Sequence, residues 1–87
     1  MTFAKEVDQV TLEIRDLLVQ KNEAYGDSAL NPVRIFSKAD VLEQLKVRMD
    51  DKLSRLARGD NAGEDVILDL LGYLIMYRVQ QKRMENE

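Results

Sequence analysis

Asp65 and Asp69 stand one helical turn apart in the most apolar stretch of the chain. It reads Glu64-Asp65-Val66-Ile67-Leu68-Asp69-Leu70-Leu71-Gly72-Tyr73-Leu74-Ile75-Met76-Tyr77. A helix that is apolar on nearly every side is expected to be buried. A buried carboxylate must be paired, protonated or bound to a metal. Asp65 sits close enough to the helix start for the exposed amides there to favour its charge. Asp69 lies further in and gains less. An earlier run places Arg48, Asp51, Lys52 and Arg55 at i, i+3, i+4 and i+7, a charged stripe beside an apolar one. Two chemistries compete for these residues. In the first, Lys52 or Arg55 neutralises Asp69 in an ion pair that adds little net stability but is costly to break. In the second, Asp51, Asp65 and Asp69 gather around a divalent cation while the basic residues hold phosphate oxygens. Three carboxylates without a cation would repel one another.

The composition narrows the second chemistry. The 87 residues contain neither cysteine nor histidine, so disulfides, thiolate sites and imidazole ligands are excluded. Any metal must be held mainly by oxygen, which favours Mg2+ or Mn2+. A net charge of -3, from 13 basic and 16 acidic residues, leaves no footprint for general nucleic-acid binding and no polybasic membrane anchor. The longest apolar stretch is interrupted by Asp69 and is too short to span a bilayer. The N-terminus runs directly into a charged amphipathic pattern, without the look of a signal peptide. The expected compartment is the cytoplasm, that of the host if the chain is phage-encoded.

Three helices are expected to position these groups within a single helical domain covering residues 1–87. The first runs from about Phe3 to Tyr25, with Phe3, Val7, Val10, Ile14, Leu17 and Ala24 on one stripe. Thr2 is its N-cap candidate and Gly26 its left-handed stop. Residues 26–36 carry the only proline with Gly26, Asp27, Ser28 and Asn31, which is loop chemistry. The loop is long for a helix–helix connection, and such loops are often functional. Ser37 offers the next N-cap, with Asp40 as an acidic variant of the capping box. The second helix runs to about Arg58, with Leu42, Leu45, Met49, Leu53 and Leu56 as its apolar stripe, and Gly59 ends it. Asn61 and Glu64 form a further cap pair for the third helix, which frays near Arg83. The short connection from Gly59 to Gly63 makes helices two and three antiparallel neighbours, so the basic stripe can face the acidic pair. Helix three has more apolar surface than one short partner can cover, and a domain of this size buries a modest core alone, so a homo-oligomer is expected.

Three blocks in order resemble a known family. They are Lys21-Asn22-Glu23-Ala24-Tyr25-Gly26-Asp27-Ser28, Arg48-Met49-Asp50-Asp51-Lys52-Leu53-Ser54-Arg55-Leu56, and Glu64-Asp65-Val66-Ile67-Leu68-Asp69-Leu70-Leu71-Gly72-Tyr73. Together, over roughly residues 15–78, they resemble the phage and bacterial nucleotide modification associated domain 1 family. That family looks similar to the all-α MazG-type nucleoside triphosphate pyrophosphohydrolases. The resemblance implies an all-α, three-helix antiparallel bundle completed by oligomerisation, which binds magnesium and acts on nucleotides. Enzymes of this type hold magnesium with acids from two neighbouring helices and split a nucleoside triphosphate into monophosphate and pyrophosphate. Their later acid pair, usually Glu-x-x-Asp, maps onto Asp65 and Asp69 at a spacing one residue longer. Their earlier helix usually carries Glu-x-x-Glu. Here Asp51 is the closest fit, because it opens the Asp-Lys-x-x-Arg run.

These correspondences imply Asp51 and Asp69 as catalytic and Asp51, Asp65 and Asp69 as metal ligands. Without histidine or cysteine, the nucleophile would be metal-activated water with a carboxylate as base. Lys21, Arg48, Lys52 and Arg55 could neutralise phosphates. Tyr25 could stack on a base whose edge Asn22 or Asp27 reads. A non-catalytic helical oligomer that sequesters a nucleotide is the alternative function, and a purely structural oligomer with Asp69 salt-bridged is a third.

Overall fold

The structure, a computed structural model, describes residues 2–59 and 63–86. It is all-α among the described residues: α1 spans Phe3–Tyr25, α2 Val41–Arg58 and α3 Val66–Glu85. Thr2 caps α1 by accepting from the Lys5 amide at 3.3 Å. Gly26 ends it in the left-handed region at φ 65, donating its N–H to the Asn22 carbonyl at 2.8 Å. Glycine takes that conformation without the Cβ clash that other residues meet.

The α2 start differs from expectation. Asp40, not Ser37, is the N-cap, and its Oδ1 accepts from the Glu43 amide at 2.8 Å. Ser37 instead accepts from the Ala39 amide at 3.2 Å, one turn too early to cap the helix. The Asp40-x-x-Glu43 spacing is itself a capping signal, and it lies closer to the first apolar residues of α2. At the α3 start, Asn61 falls outside the described residues. Asp65 takes the N-cap role, its Oδ1 accepting from the Leu68 amide at 3.0 Å. Helix α3 continues past Arg83 to Glu85.

Helices α2 and α3 pack together, and α1 joins them loosely. Arg55 meets Glu64 and Lys52 meets Asp69, so α2 descends as α3 rises and the pair runs in opposite directions. Helix α1 touches α3 where Leu18 crosses Gly72. A Cβ at Gly72 would lie 3.2 Å from Leu18 Cδ2, so glycine here permits the close approach. Among the described residues, the buried apolar side chains are Ile14, Leu30, Leu45 and Val66. Burial of α3 on all sides is not observed, since Ile67, Leu71, Leu74 and Ile75 stay exposed. Both neighbouring helices approach the same part of its circumference, leaving the far side uncovered. The radius of gyration is 14.5 Å, where a compact domain of this length has roughly 12 Å. That openness leaves a cleft between α1 and α3.

Candidate functional site

The cleft has a volume of about 430 Å³. Leu17, Leu18, Lys21, Asn22 and Tyr25 of α1, with Asp27, Ser28 and Ala29 beyond it, form one wall. Arg48 and Lys52 of α2 and Leu68, Asp69, Gly72, Tyr73 and Met76 of α3 form the other, with Glu64 at the α3 entrance.

Lys52 organises the charged end. Its Nζ lies 3.1 Å from Glu64 Oε2 and 3.4 Å from Asp69 Oδ2, and its side chain is only 12% exposed. Lys21 approaches Asp69 Oδ1 from α1 at 3.9 Å. The sequence problem posed by Asp69 is thus met by an ion pair, and Lys52 rather than Arg55 supplies it. Burial pushes the Lys52 ammonium down, but hydrogen bonds to Glu64 and Asp69 outweigh this and leave its pKa raised. The hydrogen bond from Lys52 and the nearby Arg55 charge hold Glu64 below its ordinary value.

The three aspartates expected to share a cation do different things. Asp65 caps α3. Asp51 is exposed, pairs with Arg55 Nε at 3.3 Å along its own helix, and lines no part of the cleft. Only Asp69 faces the cleft. The reason is helical phase: adjacent residues differ by roughly 100°, so turning Lys52 toward α3 turns Asp51 aside. Among the described residues, no three acidic side chains are grouped to hold a metal ion. The two carboxylates that do converge are Glu64 and Asp69, with the Lys52 ammonium between them.

The phosphate candidates divide similarly. Lys21, Arg48 and Lys52 line the cleft, while Arg55 stands behind it, its NH1 3.1 Å from Glu64 Oε2. Arg48 is exposed and makes no ion pair among the described residues. Asn22, Tyr25 and Asp27 all reach the cleft. Asn22 Nδ2 donates to Asp27 Oδ1 at 2.7 Å, and Arg83 NH1 donates to Asp27 Oδ2 at 2.9 Å. The Arg83 hydrogen bond, opposed by burial and helped by Asn22, holds the Asp27 carboxyl below its usual range.

Sequence reasoning missed Glu64 and Arg83. Glu64 carried a usable signal, since it precedes the acid pair at the end of α3 that the Lys52 and Arg55 stripe must face. Arg83 carried none, because its partner lies 56 residues away. Compared with known protein families, curated proteins and solved structures, the chain matches none.

Proposed function

We propose that the chain is a small MazG-like nucleotide-binding protein, with phosphates held by Lys21, Arg48 and Lys52 and the base placed near Asn22 and Tyr25. The observation that carries this reading is Arg48, a guanidinium on the cleft wall that has no carboxylate partner among the described residues. A planar donor fork of this kind suits phosphate oxygens. Lys21 adds to it, since its 3.9 Å contact with Asp69 is loose enough to yield to a stronger anion. Titration of ATP, GTP, CTP and UTP against the wild type and Arg48→Ala tests the reading. The expected result is saturable binding that weakens in the variant and at higher salt, as screening requires. Equal affinity in the two proteins would remove the phosphate role.

Pyrophosphate release is the second reading, favoured by the convergence of Glu64 and Asp69. Magnesium is commonly held by one or two carboxylates together with substrate phosphates, which this pair fits. When bound, the ion would supply Lewis acidity and a more acidic water. Lys52, already between the two acids, would turn toward the phosphates it neutralises. Magnesium-dependent pyrophosphate release, lost in Asp69→Asn with nucleotide binding retained, would support hydrolysis. Binding without release from any nucleoside triphosphate would leave a sequestering protein.

A homo-oligomer fits either reading. The uncovered side of α3 and the exposed Phe3, Val10, Val33, Ile35 and Phe36 give a second copy apolar surface to cover. Sedimentation equilibrium over a range of concentrations measures this directly.

A further inference from the structure

The cleft has two ends along α3. At one, Glu64 and Asp69 meet Lys52 and Lys21. Toward the other lie Tyr73 and Met76. Arg83 stands beyond them, roughly 21 Å along the helix from Asp69 at 1.5 Å per residue. Its side chain grips Asp27, a residue of the cleft wall, with both guanidinium nitrogens: NH1 donates to Oδ2 at 2.9 Å and NH2 to Oδ1 at 3.3 Å. Asp27 itself has φ 62, directly after Gly26 at φ 65. Aspartate is one of the few residues that tolerate this left-handed region, and a fixed partner for its carboxylate helps to keep it there.

The grip has two consequences for recognition. With both oxygens turned to Arg83, the Asp27 carboxylate is already satisfied and is a poor reader of a base edge. It also accepts from Asn22 Nδ2 at 2.7 Å, which fixes which way round the Asn22 amide lies. Asn22 Oδ1 accepts from none of the described residues. An unrestrained amide can rotate to offer either donor or acceptor and so accommodates any base. A restrained one presents a single pattern.

We propose that Arg83 is a positioning residue for base recognition: by holding Asp27 it fixes the Asn22 amide, whose free Oδ1 then accepts from an N–H on a nucleobase. This rests on the nucleotide reading above and names the residue that makes it selective. Phosphate affinity is set at the other end of the cleft and is independent of Arg83.

Dissociation constants for ATP, GTP, CTP, UTP and inorganic tripolyphosphate, on the wild type, Arg83→Ala, Arg83→Lys and Asp27→Asn, test the proposal. One well-directed hydrogen bond corresponds to a spread of roughly threefold to tenfold among the four bases in the wild type. In Arg83→Ala that spread is expected to collapse to within about twofold, with tripolyphosphate affinity unchanged. Arg83→Lys, which keeps the charge but not the two-pronged grip, should recover part of it. The Asn22 side-chain amide resonances of the ligand-free protein should move toward free-amide positions in Arg83→Ala and stay near wild type in Arg83→Lys. Should Arg83→Ala fail to fold by circular dichroism, Arg83→Lys and Asp27→Asn carry the same comparison. An undiminished base spread in these variants, or a parallel loss of tripolyphosphate affinity, overturns the role of Arg83 and leaves nucleotide binding intact. A wild type that binds tripolyphosphate and all four nucleotides equally also overturns it. A wild type that binds none of the five ligands overturns the nucleotide reading itself, and the role of Arg83 with it.

Discussion

Helices α2 and α3 form one region, and α1 with residues 26–40 forms another, and the two use similar sequences to different ends. Both carry apolar stripes at helical spacing. In the α2–α3 pair the stripe finds a partner, with Leu45 at 1% exposure and Val66 at 5%. Charges cross the seam from Lys52 and Arg55 to Glu64 and Asp69. In the other region Ile14 and Leu30 are buried, but Phe3 is 80% and Phe36 98% exposed. The contrast teaches that an apolar stripe specifies a face to be covered and leaves the cover unspecified. A short connection decides the matter for α2 and α3 by holding them side by side. The longer link after α1 imposes no such neighbour. The candidate site opens along the looser boundary, as expected of ligand-binding elements drawn from the less stable parts of a fold.

The largest effect should come from the tight region. Leu45→Ala removes the most deeply buried side chain and should cost about 2–5 kcal/mol in denaturant unfolding followed by circular dichroism. In a domain with so small a core, that is a large share of total stability. A loss below the lower bound would mean that the α2–α3 pair is not the stable part of the molecule.

Lys52→Ala comes next. It leaves Glu64 and Asp69 facing each other with Arg55 and Lys21 as their remaining cationic partners among the described residues, at an expected cost of about 1–3 kcal/mol. The pH dependence follows from the directions of the shifts. Glu64 is held low when folded, so its contribution is present above the ordinary carboxylate range and is lost as pH falls through the lowered value. Lys52 is raised, so its contribution is present below the ordinary lysine range and is lost as pH rises through the raised value. The wild type should therefore lose stability at both extremes, and Lys52→Ala should show a flatter profile on each side. Profiles of the same shape would sink the pairing.

Gly72→Leu tests the loose boundary. The added side chain must displace Leu18 and should cost about 1–3 kcal/mol. Its signature is regional: amide exchange should quicken in α1 and stay slow across α2 and α3. Uniform acceleration would show that the two regions unfold as one.

Much of this architecture was legible in the sequence, and the failures have physical causes. Local signals were sufficient at Thr2, Gly26 and Gly59, where a cap or a left-handed residue acts on its own helix. Ser37 was misplaced because two capping residues compete within four positions, and only the one next to the first packed turn can serve both helix and core. The pairing of Asp69 was legible as a need, and even its candidate partners were nameable. The choice between Lys52 and Asp51 was not, because it depends on the rotation of α2 about its axis. That rotation is set by which residues pack against α3, a tertiary fact. The Arg83 grip on Asp27 lay beyond reach for a stronger reason: nothing local at either residue marks the other.

Arg83→Ala should have a smaller effect on stability than the changes above. The pair is partly exposed, with side-chain exposures of 47% for Arg83 and 31% for Asp27, so about 0.2–1 kcal/mol is expected. Asp27 is held low by Arg83, so this contribution is present above the ordinary carboxylate range and is lost as pH falls through the lowered value. Melting curves of wild type and variant should converge in acid and separate toward neutrality. A constant offset at every pH would mean that Arg83 stabilises through packing of its stem alone.

The smallest effect on monomer stability, and the sharpest test of the looser region, is Phe36→Ser. This ring is 98% exposed in a segment whose neighbours Val33 and Ile35 are also largely uncovered. Within one chain it packs against almost nothing, so removing it should change unfolding free energy at low protein concentration by under about 0.5 kcal/mol. If a second copy covers the segment, the same substitution weakens self-association, and the concentration dependence of the melting temperature shrinks with it. An unchanged association constant would place the intermolecular contact elsewhere, with the uncovered side of α3 the next face to test, through Leu74→Glu. A large stability loss at low concentration would instead mean that Phe36 is covered within its own chain, and the two regions would then differ little in how well their apolar side chains are covered.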